Sequence, residues 1–149
     1  MASSLQIYAG RHERFNDIDL LIITSMIIDF IHEHQSTYHS LAESVKYWEE
    51  SITGYAPGII HLNLDEELYQ DAARHAFLLV LSEVRAKLAS FGESIPIESL
   101  KSLAMYRLWG GYGTITFSQP QRTDQLLATV ANLEKLVGDF DRCGRHHAD

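Results

Sequence analysis

Cys143 is the only cysteine among 149 residues. An intrachain disulfide is therefore excluded, and a reducing compartment fits the chain. The opening residues, MASSLQIYAGRHERF, contain no charged region followed by a long apolar core, so no secretory signal is expected. The most apolar run, Leu20 to Ile31, holds Asp29 and has about half the length that a membrane span needs. A soluble, cytoplasmic protein with no membrane partner is the expectation. Repeats, low-complexity tracts and Pro/Ser linkers are also missing, and the length suits one domain over residues 1–149.

Catalytic and cofactor motifs are equally scarce. There is no G-x-S-x-G elbow to expose a nucleophilic serine. Cys143 follows a predicted helix C-terminus, where the helix dipole disfavours a thiolate. The stretch LWGGYGTITF, Leu108 to Phe117, carries three glycines. No Lys-Ser/Thr pair follows them, and they do not form G-x-G-x-x-G, so neither a phosphate loop nor a cofactor is expected. Nucleic-acid motifs are absent too, and a net charge of −8 repels phosphate.

What is present is a well-stocked core: 46% of the residues are apolar and 10% aromatic. Five segments carry helical signals. The first runs from Ile18 to His34, with Asn16 or Asp17 as its cap, although its β-branched centre LLIITSMIID also suits a strand. The second starts at a Ser40/Glu43 capping box, shows an apolar stripe at Leu41, Val45, Trp48 and Ile52, and stops at Gly54. The third runs unbroken from an Asp65 N-cap to Ser90 before Gly92. Its apolar centre, Ala76 to Val84, marks it as the central rod of the fold. The fourth begins at Pro96 and follows Ile97, Leu100, Leu103, Ala104 and Leu108 to a glycine cap at Gly110–Gly111, with a two-residue hairpin turn at those glycines as the competing reading. The fifth spans Thr123 to Asp141 on the stripe Leu126, Val130, Leu133, Val137 and Phe140.

Gly58 to Leu64 and Gly113 to Ser118 alternate as short strands do, and Leu5 to Tyr8 is a weaker third candidate. The expected fold is mainly α: a single-domain bundle of about five helices with a small two- or three-stranded β-element. Residues 1–14 and 142–149 are expected to be frayed or peripheral.

Three groups of residues are candidates for function. Glu43, Glu49, Glu50, Asp65, Glu66, Glu67 and Asp71 face only one base, Lys46, between Glu43 and Ala73; that segment is −6, and the rest of the chain is −2. Such a patch attracts a basic protein partner or simply keeps the chain soluble. Tyr106, Arg107, Trp109 and Tyr112 form a possible aromatic patch near the glycines, with core packing as the default. Asp29, His32 and Glu33 share a helix face at i, i+3 and i+4, a spacing that can hold a metal, as Asp71 and His75 can pair at i, i+4. Only one such set occurs, short of the repeated Glu-x-x-His of a di-metal bundle. Cys143, His146 and His147 lack a nearby fourth ligand.

The leading expectation is an interaction protein rather than an enzyme. By charge and size it is analogous to the bacterial immunity proteins and antitoxins that cover a basic nuclease toxin. Its predicted contacts are Glu43, Glu49, Glu50, Glu66, Glu67 and Asp71. A small metal-binding helical protein or enzyme using carboxylate–histidine pairs is the first alternative. A structural or oligomerisation subunit is the second.

Overall fold

The structure, a computed structural model, describes residues 2–53, 60–108 and 117–138. It is mainly helical, with two small antiparallel β-elements. In chain order the elements are β1 (Ser3–Tyr8), β2 (Arg11–Asn16), α1 (Asp17–Glu33), α2 (Ala42–Thr53), α3 (Leu64–Glu67), α4 (Asp71–Ser90), β3 (Ser94–Ile95), α5 (Ile97–Lys101), α6 (Ala104–Leu108), β4 (Gln121–Arg122) and α7 (Thr123–Gly138). None of the described helices is long and apolar enough to cross a membrane.

The core is built on α1. Every residue from Leu20 to Ile28 is buried, and the helix packs against β2, α2, α4, α6 and α7. Asn16 caps it, its side-chain oxygen accepting the Asp19 N–H at 3.1 Å. The central rod is thus α1, not the third predicted helix. That helix, α4, has an outer side carrying Leu79, Arg85 and Lys87 in solvent. The β-branched centre of α1 forms helix because its whole circumference is covered, and tertiary burial outweighs a small propensity deficit.

The N-terminal residues are not frayed. β1 and β2 form a hairpin in which Tyr8 pairs with Arg11 across an Ala9–Gly10 turn. Both turn residues have positive φ, 53° and 79°, the requirement of a type I′ turn. The Ala9 N–H donates to the Asp65 carboxylate at 2.9 Å, so Asp65 ties the turn down and does not cap a helix. Arg11 reaches back from β2 to the Lys135 and Leu136 carbonyls near the end of α7, a favourable place for a cation.

β1 also reverses the usual polarity. Ser4, Gln6 and Tyr8 point inward, and Ile7 points out. The two polar side chains serve the segment Ile60 to Leu62, whose alternation predicts a strand. The alternation is correct, since Ile60, Leu62 and Leu64 are buried and His61 is exposed, but these residues form no strand. Side chains replace the ladder. Gln6 donates its Nε2–H to the Ile60 carbonyl at 2.7 Å and accepts the Leu62 N–H at 3.0 Å. Ser4 accepts the Ile60 N–H at 3.0 Å and donates to buried Asp17. Ser51 both donates to the His61 carbonyl and accepts its N–H, and Trp48 donates to the Leu62 carbonyl at 2.8 Å. All six backbone polar groups of this strap are thereby satisfied.

Two predicted helices are broken. The third splits into α3 and α4 because its apolar positions slip in phase. At about 100° per residue, Ala73 in an unbroken helix would lie about 140° round from Leu68. Both are buried. An extended Gln70 resets the phase and leaves Tyr69 outside. The cap before α3 is Asn63, in the left-handed region at φ 53°, which asparagine tolerates. The fourth helix divides at Ser102–Leu103, with Pro96 just before its first piece. The second helix is preceded by a 3-10 turn, His39–Leu41, so Ser40 and Glu43 form no capping box. Ser40 instead donates to the Ala72 carbonyl at 3.4 Å, and Glu43 pairs with Lys46. α7 matches its stripe as far as Gly138.

The remaining expectations at Gly54, Gly58, Trp109 to Thr116 and Phe140 to His147 lie outside the described residues. Phe117, beyond the glycine stretch, is buried in no strand. β3 and β4, which no alternation announces, join Ser94 with Arg122 and Ile95 with Gln121.

Gln6→Ala should cost about 2–4 kcal/mol in urea denaturation, because it strands a buried N–H and a buried carbonyl together. Ile7→Thr, one position along on the outer face, should stay within about 0.5 kcal/mol. Equal costs for the two would contradict the inward role of Gln6.

Candidate functional site

The acidic residues converge because two hydrogen bonds seat the start of α2 on the α3–α4 junction. Ser40 reaches the Ala72 carbonyl, and Ser44 donates to the Glu67 carbonyl at 3.4 Å. Glu43, between Ser40 and Ser44 in the chain, is exposed at this junction, and Glu50, two turns further along α2, continues the same helix face. Glu66 is exposed and accepts a hydrogen bond from Asn63. Glu49 is set apart: it turns toward α1, where its carboxylate meets His32 at 3.0 Å.

Two local bases neutralise this face only in part. Lys46 pairs with Glu43 at 3.2 Å, but both side chains are in solvent, where such pairs are worth little. Arg74, its side chain only 1% exposed, comes to 3.7 Å from Asp71, itself 74% exposed, and offsets part of its charge. Between Glu67 and Asp71 in the chain stands Tyr69, 85% exposed. A tyrosine so placed offers a rigid apolar ring and a hydroxyl, and its π-face attracts cations. Sequence patterning passes over Tyr69; the signal was the phase slip between Leu68 and Ala73.

Two members of the metal-spaced set, Asp29 and His32, are engaged by other residues. Asp29 accepts the Ala104 N–H at 3.3 Å with one oxygen and the Arg107 guanidinium with the other. Ser25, one turn earlier, accepts the Met105 N–H at 3.3 Å. Ser25 and Asp29 thus capture the free N–H groups that open α6, and Arg107 closes the clasp through the Ser102 carbonyl at 2.6 Å. His32 is directed to Glu49, and Glu33 is exposed. Among the described residues, no group of three or more His, Cys, Asp and Glu could hold a metal ion. Nor do Asp71 and His75 pair, because the His75 ring meets Arg74 at 3.2 Å.

A cleft of about 720 Å³ opens between α1, α4 and the α5–α6 turn, with Asp29, Glu33, Lys87 and Arg107 around an apolar floor of Met26 and Leu103. Lys87 lies 5.6 Å from the centre of the Phe30 ring. Of the aromatic patch, Tyr106 is half-buried and packs on Phe117, ring centres 6.1 Å apart, and Arg107 is engaged by Asp29. Trp109 and Tyr112 lie outside the described residues. Tyr38 donates to Glu83 at 2.7 Å. Burial first, and then this carboxylate, push its phenol well above the ordinary range.

No protein-family model, curated protein or solved structure matches the chain. Chemistry and geometry alone therefore carry the functional reading.

Asp29→Ala should destabilise the chain by about 1–3 kcal/mol, since it uncaps α6 and leaves Arg107 without its carboxylate. Glu33→Ala, on the same helix face, should change stability by less than about 0.5 kcal/mol. Thermal or urea unfolding of both variants distinguishes a clasp from a ligand set, in which the two would behave alike.

Proposed function

We propose that this chain is a protein-binding module that docks a basic partner on the face formed by α2, α3 and the start of α4. The observation that carries the reading is Tyr69, 85% exposed and flanked by Glu66, Glu67 and Asp71, with Glu43 on the adjoining helix. Exposed charge alone steers encounter and gives little net affinity. An aromatic anchor within that charge supplies the desolvated centre that tight interfaces use. Lysine or arginine side chains suit both parts, pairing with the carboxylates and stacking on the ring.

In its sharpest form the partner is a nuclease whose Lys/Arg-rich groove is covered, the mode of immunity proteins and antitoxins. Glu43, Glu50, Glu66, Glu67 and Asp71 then make the contacts. Glu49 does not, because it serves His32.

Affinity capture on the wild-type chain should retain a basic protein that salt elutes. Tyr69→Ala should weaken that complex by about 30-fold, the effect of losing a hot-spot aromatic. Reversal of Glu43, Glu66 and Glu67 to lysine should abolish it. Both variants should keep the wild-type melting temperature, since neither change touches the core. Undiminished binding by both would overturn the proposal.

A further inference from the structure

Asp19, in the first turn of α1 where the helix dipole favours an anion, has a carboxylate that no side chain engages among the described residues. Its neighbour in the first turn of α1, Asp17, is buried and held by Ser4. The Asp19 backbone N–H is taken by Asn16, but its carboxylate makes no hydrogen bond or ion pair among the described residues. It faces a cleft of about 600 Å³ between β2, the start of α1 and α7. Gln121, Gln125 and Asn132 line this cleft, and Phe15 and Phe117, both buried, close its apolar side. The volume lies within the range of small-molecule sites, which pair apolar walls with a few converging polar groups. Burial holds the Asp19 carboxyl above its ordinary range. A half-buried charge without a partner costs stability, and such costs collect at functional sites.

We propose that this cleft binds a small organic cation, an ammonium or guanidinium group on a polar carbon skeleton, with Asp19 as counter-ion and the three carboxamides as hydrogen-bonding partners. One uncompensated carboxylate among neutral amides selects for positive charge. Charge-assisted hydrogen bonds supply the affinity, and the two phenylalanines cover the ligand's carbon chain. Among the described residues lining the cleft, Arg14 is the one competing cation. Its guanidinium is turned to the Ser3 carbonyl and hydroxyl at 3.5 and 3.4 Å, and it forms no ion pair with Asp19. The site is independent of the acidic face, which uses none of these residues.

Two-dimensional NMR of the labelled full chain tests this, with agmatine and putrescine as cations and butanediol and succinate as neutral and anionic counterparts. The cations should give saturable shifts at the amides of Asp19, Gln125 and Asn132, and the counterparts none. Asp19→Asn should lose at least about tenfold in affinity while melting at the same or a higher temperature. Gln125→Ala should weaken binding about three- to tenfold, and Arg14→Gln should leave it equal or tighter. Absence of saturable shifts with either cation at millimolar concentration, or shifts that survive Asp19→Asn, would overturn the proposal. Binding of a lysine-bearing tripeptide where neither free cation binds would overturn its small-molecule form.

Discussion

The carboxamide of Gln6 does the work of a neighbouring strand. It uses one N–H and its carbonyl oxygen, as a peptide unit does, and pairs with Ile60 and Leu62 in the way a β-ladder would. Ser4, Trp48 and Ser51 complete the accounting, so residues 60–62 cross the core surface with no backbone group unsatisfied. Each buried group left unpaired would cost about 1–3 kcal/mol, against a total stability of about 5–15 kcal/mol for a typical domain. The strap therefore has little freedom to shift. It seats Leu62 and Leu64 in the core and delivers the chain to α3. The direction in which Tyr69 and its acidic neighbours leave the surface depends on that seating.

α1 plays the complementary part. It is apolar around its middle, and the polar groups it carries nearer its ends have structural tasks. Asn16 caps its start, Ser25 and Asp29 clasp α6, and His32 holds Glu49 of α2. This explains why Asp29 and His32, despite their metal-like spacing, serve different elements. A carboxylate beside the N–H groups of a short helix is better stabilised there than in a shared anionic cluster. Asp19 and Glu33 have no such partner among the described residues, and of the two only Asp19 is half-buried, which is why the cleft beside it draws a ligand reading.

Much of the fold was legible because periodicity survives single-sequence reading. The stripes of α2 and α7 and the apolar run of α1 mark real helices, and the alternation through Ile60, Leu62 and Leu64 marks real burial. What failed was the inference from burial pattern to hydrogen-bonding partner. Side-chain ladders such as that of Gln6 leave no local signature, and the hairpin turn is Ala-Gly where Asn-Gly or Asp-Gly is the usual signal. The inward polar residues of β1 made its alternation point the wrong way. The break after Leu68 could have been read from the phase slip to Ala73, and with it the exposure of Tyr69. The acidic segment was visible as composition. That Glu49 leaves it and Arg74 is buried beneath it are tertiary facts.

Native-state hydrogen exchange at residues 60 and 62 tests the central claim most directly. Without a strand partner, ordinary loop amides at these positions would exchange with little protection. If Ser4 and Gln6 hold them, the Ile60 and Leu62 amides should exchange only through global unfolding, at the free energy shown by the amides of α1. Fast exchange at both positions, with α1 still protected, would contradict the strap and the seating of the acidic face that depends on it.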